Sequence, residues 1–480
     1  MKPFCTLLAA ALLLAGGGAS AQTASPAAPA AAATTAAPPA GDDLQEQVKQ
    51  LKAEVEALKA AQAAAASRLD EAEVRSKDAV VAGDIPGSFR VPGTEISLRL
   101  YGFAELNWVH GFKGDSSDID YASFAPYIPL DGSDQARRKN RDYLTARTSR
   151  LGLEAGTPTR FGVLQVKLEG DFNNEPRTGG TAQYATYKEV YTQQVTSSYG
   201  FRVRQAYGQF GGLLAGMTWS TFMDVDNFPE TVDYNGPIGN TFIRQPVLRY
   251  TYGTQESGNF IAALENSSSY VLDWRGGDNL GLPIANSLSR LPDLVLRWEK
   301  GFDWGSASLR AVTDEIRFDD GNGTHPSARG YGVGASALLK TRGDDYTVLA
   351  VTYGDGIGRY MNYIEGAVYQ PSADKIRVER ALGLVAGYQW KPRADLRVNA
   401  VYGMTHEFDN GYTTAIRALG LDGGRFGVNR TVQAGHLGAI YTPVKSCDLG
   451  LEGVWGYRKT LVGEKGQDFR LNFSAKYYIN

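Results

Sequence analysis

Apolar and polar residues alternate in short runs from residue 96 to residue 480. One run spans 98–108, and another spans 164–172, where leucine, valine and phenylalanine alternate with glutamine, lysine, glutamate and aspartate. A period of two places the two kinds of residue on opposite faces of a β-strand. The pattern therefore predicts an all-β domain over 96–480. Further runs of the same kind lie at 382–390, 396–404, 449–457 and 469–478.

The links between these runs predict how the strands connect. Short links, such as Thr157–Thr159, Gly211–Gly212 and Lys391–Arg393, alternate with polar loops of unequal length. Short turns at one rim and long loops at the other are typical of a transmembrane barrel, here of about sixteen antiparallel strands. A soluble β-sandwich or propeller would also show period two. Charges on one face of nearly every strand and aromatic residues at the strand ends favour a barrel with a wet lumen and a lipid-facing exterior.

The chain begins with segments of a different kind. Residues 1–21 predict a secretory signal, because Lys2 precedes an apolar core at Leu7–Leu14 and a small-residue cleavage site at Ala19–Ala21. Residues 22–41 are rich in alanine, proline and threonine and carry almost no charge, which predicts a flexible linker.

A heptad pattern occupies residues 42–77, and a second linker is expected at 78–95. Apolar residues recur there at alternating steps of four and three with glutamate and lysine between them, which predicts an oligomeric coiled coil. A solitary surface helix would have the same polarity. Valine at one heptad position with leucine at the other favours a coiled coil of two helices, so the heptad seam alone does not predict a trimer. The seam residues are Leu44, Leu51 and Leu58 at one heptad position and Val48 and Val55 at the other.

Composition narrows the class of function. The formal net charge of −3 excludes a strongly basic nucleic-acid binder. The four histidines form no metal-ligand motif, so no metal or other cofactor is expected. They also give no Ser-His-acid set, so we expect no enzyme, although an outer-membrane enzyme can also be a barrel.

Six motifs stand out along the chain: Gly87–Thr94, Ile128–Gly132, Thr145–Gly152, Gly216–Asp224, Pro229–Pro237 and Ile243–Pro246. They resemble motifs of the DcaP-like family of trimeric outer-membrane porins. The resemblance covers the heptad segment and the whole barrel and is strongest over 87–252.

The resemblance implies a homotrimer of sixteen-stranded barrels in the outer membrane of a Gram-negative cell, with the N-terminal helices bundled in the periplasm. Each pore would be narrowed by the third long loop and would favour negatively charged solutes such as dicarboxylates. Such chains often end in an aromatic residue that the barrel-insertion machinery recognises. This chain ends in Ile479–Asn480, so Tyr477 or Tyr478 would take that role.

The alternation places a series of arginines on the wet face. Arginine stays charged and grips a carboxylate with two hydrogen bonds, so a series of them can guide an anion. Acidic residues share this face, and the alternative is that many of the arginines are simply paired. Arg202 and Arg204 are the strongest candidates, since no acid lies between them. The predicted pore-lining residues are Arg99, Arg150, Arg202, Arg204, Arg249, Arg297 and Arg397, with Arg310 and Arg470 on the same face.

The segment Phe222–Thr241 follows the fifth strand and would be the third long loop. Folded into the barrel, its acidic residues Asp224, Asp226, Glu230 and Asp233 would face the arginine wall and constrict the pore. An ordinary exposed acidic loop is the alternative. The alternative function is that of a general or cation-preferring porin whose periplasmic coiled coil is mainly structural.

Overall fold

The computed structural model describes residues 41–78, 81–113, 128–160, 162–174, 200–269, 271–272, 288–361, 366–424 and 427–479. The predicted signal, and the linker up to residue 40, lie outside these ranges. The chain divides into two compact units, one of residues 1–81 and 90–94, the other of residues 82–89 and 95–480. Each unit is described by itself.

The first unit contains one long helix, α1 (Gly41–Asp78), close to the predicted bounds of 42–77. The heptad residues Val48, Leu51, Val55 and Leu58 are between 44% and 69% exposed on it. The two-residue strand Phe89–Arg90 follows it in the chain. Within the described part of the chain, no helix is both long and apolar enough to cross a membrane.

The second unit is a closed barrel of sixteen antiparallel strands, which confirms the strand number predicted from the sequence. One strand is interrupted by a turn at residues 146–149. The strands are β1 (Ser97–Lys113), β2 (Arg141–Thr145 and Arg150–Thr159), β3 (Gly162–Asn174), β4 (Gly200–Phe210), β5 (Leu213–Trp219), β6 (Arg244–Thr254), β7 (Gly258–Glu265), β8 (Asp293–Phe302), β9 (Gly305–Arg317), β10 (Ser327–Lys340), β11 (Tyr346–Asp355), β12 (Arg380–Arg393), β13 (Leu396–Glu407), β14 (Asn429–Val444), β15 (Cys447–Thr460) and β16 (Lys465–Ile479).

Each strand pairs with its neighbour in sequence, and β1 closes the barrel. Leu106 of β1 lies opposite Ala475 of β16, and Leu100 of β1 lies opposite Leu153 of β2. Because the first and last strands pair, the barrel has no free edge.

The two faces of the strands carry the two kinds of residue that the alternation predicts. On β3, Leu168 is 50% exposed on the outer surface, whereas Asp171 is fully buried on the inside. On β15, Leu451 is 50% exposed, and its neighbour Glu452 is 1% exposed. Apolar side chains therefore cover the exterior of the barrel, and charged side chains line its interior.

The connections differ at the two ends of the barrel. Residues 211–212, 303–304 and 394–395 are two-residue turns at one rim. Long loops lie at the other rim and contain secondary structure of their own. These elements are α2 (Asp134–Arg137), a hairpin of Ala367–Gln370 and Lys375–Val378 joined by the 3-10 turn Pro371–Ala373, and α3 (Gly411–Ala418).

Apolar clusters inside the barrel hold the long loops. Phe222 from the loop after β5 packs with Tyr360 and Met361 from the loop after β11 and with Ala381 of β12. Near the rim, Tyr412 and Ile416 of α3 form part of a second buried cluster. The loop of residues 220–243, called here the third loop, therefore lies within the lumen rather than outside it.

Candidate functional site

The third loop leaves β5 and is bound along its length by side chains from several strands of the wall. Asp224 is the first of these anchors. Its carboxylate accepts hydrogen bonds from Arg297 Nη2 of β8 at 3.1 Å, from Ser308 Oγ of β9 at 2.6 Å and from Ser336 Oγ of β10 at 2.5 Å. Asp226 lies farther away, with its carboxylate 4.0 Å from Arg297 Nη2.

Glu230 is the second anchor and contacts a different part of the wall. Arg397 of β13 donates to it from Nε at 3.0 Å and from Nη2 at 3.3 Å. Gln389 Nε2 of β12 donates to the same carboxylate at 2.9 Å. Arg397 also donates to Asp448 of β15 at 3.0 Å, so this arginine is shared between two carboxylates.

The third anchor holds the main chain of the loop. The backbone N–H groups of Val232 and Asp233 donate to the carboxylate of Glu452 at 3.0 and 2.9 Å. His436 Nδ1 lies 3.3 Å from the same carboxylate, and both side chains are only 1% exposed. The carboxylate of Asp233 accepts the N–H of Asn235 at 2.9 Å within the loop.

Glycines let the loop lie directly against the wall. A Cβ on Gly403 of β13 would lie 2.0 Å from the carbonyl oxygen of Ile238, and one on Gly383 of β12 would lie 2.3 Å from that of Gly239. Gly239 itself has φ +85° and faces the carbonyl oxygen of Met404. Any larger residue at these positions would push the loop off the wall.

The arginines Arg202 and Arg204 lie on β4 and face the third loop. Both donate to the hydroxyl of Tyr234, at 2.9 and 2.8 Å. Arg202 donates twice to Asp171, from Nε at 3.0 Å and from Nη2 at 2.8 Å. Arg204 donates to Glu169 and to Asp171, each at 2.9 Å.

The lack of an acid between Arg202 and Arg204 therefore does not leave them without carboxylate partners. Their acids come from β3, the neighbouring strand, where Asp171 lies opposite Arg202 and a bulge follows. The two arginines also differ in access to water, since the side chain of Arg202 is 32% exposed and that of Arg204 only 4%. Of this pair, Arg202 is the one that a solute can reach.

The remaining predicted arginines are distributed around the lumen wall. Arg99 of β1 pairs with Glu154 of β2, and Arg150 lies 3.7 Å from Glu169. Arg249 of β6 donates to Thr221 Oγ1 at 2.8 Å and to the carbonyl oxygen of Trp219 at 2.5 Å, which ties down the start of the third loop. The structure thus brings Arg150, Arg202 and Arg204 together, whereas Arg99, Arg249, Arg297 and Arg397 contact other partners.

Asp224 and Glu230 bind arginines other than Arg202 and Arg204. Asp224 binds Arg297 and Glu230 binds Arg397, so the acids are divided between separate anchors. Tyr234 is the side chain of the third loop that reaches Arg202 and Arg204. Acids of the third loop thus meet Arg297 and Arg397 of the predicted arginine series, whereas Arg202 and Arg204 contact a phenol and two strand carboxylates.

Sequence reasoning did not select Arg244, which begins β6 just after the third loop. Its guanidinium lies over the indole of Trp219, with Cζ 4.7 Å from the ring centroid. It is also close enough to Arg202 and Arg204 to be repelled by both. The signal in the sequence is the motif Ile243–Pro246, which contains Arg244 and is part of the resemblance to the family.

Across the described ranges, no group of three or more histidine, cysteine, aspartate or glutamate residues could hold a metal ion. The interior is instead a charged passage crossed by a fixed loop. A closed sixteen-stranded barrel with an apolar exterior and such an interior defines a porin-type channel of the outer membrane.

Comparison with known proteins supports this class. The model of the DcaP outer membrane protein family matches residues 35–479. The chain belongs to that family.

A solved structure of an outer membrane channel shares the fold. The outer membrane channel DcaP of Acinetobacter baumannii shares 24% identity, with a TM-score of 0.67, over 83% of this chain and 100% of that chain. OmpT of Vibrio cholerae shares 12% identity, with a TM-score of 0.47, over 81% and 100%. The anion-selective porin from Comamonas acidovorans shares 14% identity, with a TM-score of 0.45, over 80% and 100%. No curated protein sequence matches the chain significantly.

The family is one of outer membrane proteins, and the fold is a closed porin-type barrel. The chain is therefore an outer-membrane β-barrel channel. Its selectivity is the subject of the proposal that follows.

Proposed function

We propose that this channel lets small anions diffuse across the outer membrane and favours dicarboxylate-like solutes. The observation that carries the proposal is an excess of positive charge beside the third loop. Among the described residues, four guanidinium groups are grouped there with two carboxylates, so this group carries two more positive than negative charges. The guanidinium groups are those of Arg150, Arg202, Arg204 and Arg244, and the carboxylates are those of Glu169 and Asp171.

This excess acts where the passage is narrowed by the third loop. A dianion that enters must lose part of its hydration, and guanidinium groups replace those hydrogen bonds in pairs. The wall also lowers the local dielectric constant, which strengthens the attraction between the anion and the arginines. The two surplus charges match the two charges of a dicarboxylate.

We further propose that the chain works as a homotrimer and that α1 forms a coiled coil in the periplasm. The exposed heptad residues of α1 support the coiled coil, because leucine and valine at such spacing are stable when they pack against another helix, and the homotrimer is supported by the resemblance to trimeric porins. Tyr477 supports recognition by the barrel-insertion machinery. It is 62% exposed on the outside of the last strand, whereas the hydroxyl of Tyr478 donates inward to Asp448 at 3.1 Å.

A planar-bilayer recording tests the selectivity. Under a salt gradient, the zero-current potential of the purified protein should have the sign of anion preference, and a dicarboxylate should reduce the chloride current. A potential of the opposite sign would show a cation-preferring porin, and a potential near zero would show a general one. Either result would refute the proposal.

A further inference from the structure

Arg244 differs from the other arginines beside the third loop. Arg150, Arg202 and Arg204 each lie within ion-pair distance of Glu169 or Asp171. Arg244 forms no ion pair with any residue of the described ranges, and its buried Nη1 has no hydrogen-bond partner there. The described residues thus leave hydrogen-bonding capacity of Arg244 unused.

Aromatic rings hold Arg244 in place. Its guanidinium stacks on Trp219 at 4.7 Å, and Phe242 meets the same indole edge-on at a centroid distance of 5.0 Å. Arg204 approaches the indole at 5.7 Å. Stacking restrains the face of a guanidinium and leaves the N–H groups at its edge free to donate hydrogen bonds to a planar group such as a carboxylate.

The position is electrostatically unfavourable without an anion. A largely desolvated guanidinium beside Arg202 and Arg204 has lost hydration and gained repulsion, and the nearby Asp171 attracts it without forming an ion pair. A carboxylate that arrives from the lumen relieves both costs at once. The half-buried state of Arg244 leaves it reachable from the water-filled passage.

We propose that Arg244 is the residue that binds a carboxylate group of the permeating solute, with Trp219 as its positioning platform. This inference rests on the proposed anion selectivity and assigns its main determinant. Arg204, by contrast, serves chiefly to hold Glu169, Asp171 and Tyr234 in place.

The test uses the full-length protein in planar bilayers, with malonate as the probe. Arg244→Gln should weaken malonate block of the chloride current roughly tenfold, as expected for a lost hydrogen bond to a charged group. Arg244→Lys should give an intermediate value, because it retains the charge and loses the two-pronged grip. Arg380→Gln is the control and should leave the block unchanged, since Arg380 pairs with Asp355 away from this group.

Trp219→Leu provides an independent test that alters no charge. It should weaken malonate block several-fold and keep the sign of the zero-current potential. If the wild type prefers anions and both Arg244→Gln and Trp219→Leu bind malonate as the wild type does, the role of Arg244 is wrong and the anion porin stands. If the wild type prefers cations, the proposed function fails, and this inference with it.

Discussion

Asp224 and Asp226 lie two residues apart on the third loop in different surroundings. Asp224 is 3% exposed and binds three strands of the wall, whereas the side chain of Asp226 is 48% exposed. A buried carboxylate with several donors contributes more than an exposed one, because several buried donors each lose a hydrogen bond when it is removed. Substitutions at these two positions therefore distinguish the anchoring role of a loop carboxylate from the effect of its charge.

We expect Asp224→Asn to destabilise the third loop by about 1–3 kcal/mol. The barrel should lose its heat-resistant mobility on SDS gels at a lower temperature, and the single-channel conductance should rise as the loop leaves the wall. Asp226→Asn removes the same formal charge and should change neither property. Equal effects of the two substitutions would show that charge in the loop matters more than anchoring.

Glu379 is a second residue whose surroundings set its behaviour. It lies just before β12, is fully buried, and its main chain bonds Gly366 and Gly356 at 2.9 Å each. Burial raises the pKa of Glu379 well above its ordinary value, and the nearby carboxylate of Glu407 raises it further. The opposite case is Asp409, whose pKa is lowered to about 2 by hydrogen bonds from Arg430 and Arg417.

We expect Glu379→Gln to stabilise the barrel at pH 8 and to have little effect at pH 5. A carboxyl with a raised pKa contributes its stability when protonated and loses it as the pH rises through that pKa, whereas glutamine stays neutral. The gain at pH 8 should be about 1 kcal/mol or more. The measurement is the midpoint temperature of heat modification at both pH values.

Asp409→Asn is the control for this pH dependence. Because the pKa of Asp409 is about 2, its carboxylate is ionised at both pH values. The effect of the substitution should therefore be the same at pH 5 and pH 8. A gain from Glu379→Gln that is also equal at the two pH values would contradict the assignment of a raised pKa.

At the scale of the strands, the faces of β3 provide a direct test of the barrel. Leu168→Arg puts a charge on the lipid-facing surface and should cost about 2–4 kcal/mol near the bilayer centre. Gln165→Arg, three residues away on the lumen face, should assemble normally. Recovery of both variants from the outer membrane in equal amounts would mean that these faces are reversed.

The sequence was sufficient for the strands and insufficient for the contacts across the lumen. Period two predicted which face of each strand is apolar, and the order of short and long links placed Phe222–Thr241 as the third long loop. The partners of that loop could not be predicted, because Val232 and Glu452 are separated by 219 intervening residues. The acids of Arg202 and Arg204 were missed for a related reason, since strand pairing and a bulge decide which side chains of β3 and β4 meet.

At the scale of the whole molecule, the helix and the barrel should be separable. Deletion of 42–77 should leave the single-channel conductance and selectivity unchanged, because the passage is built entirely from barrel residues. The oligomer should dissociate at a lower temperature when α1 is absent. Gel mobility against temperature, together with bilayer recordings, checks both expectations. Loss of conductance would make the helix part of the transport path.

The glycines beneath the third loop have a consequence for electrical noise. Where main chain rests on main chain, as at Gly383 and Gly403, no side-chain rotation can lift the loop away by small steps. The open current should accordingly be a single quiet level with rare transient closures. Gly403→Ala would insert a methyl group under Ile238 and should turn that level into rapid flicker between sub-conductance states.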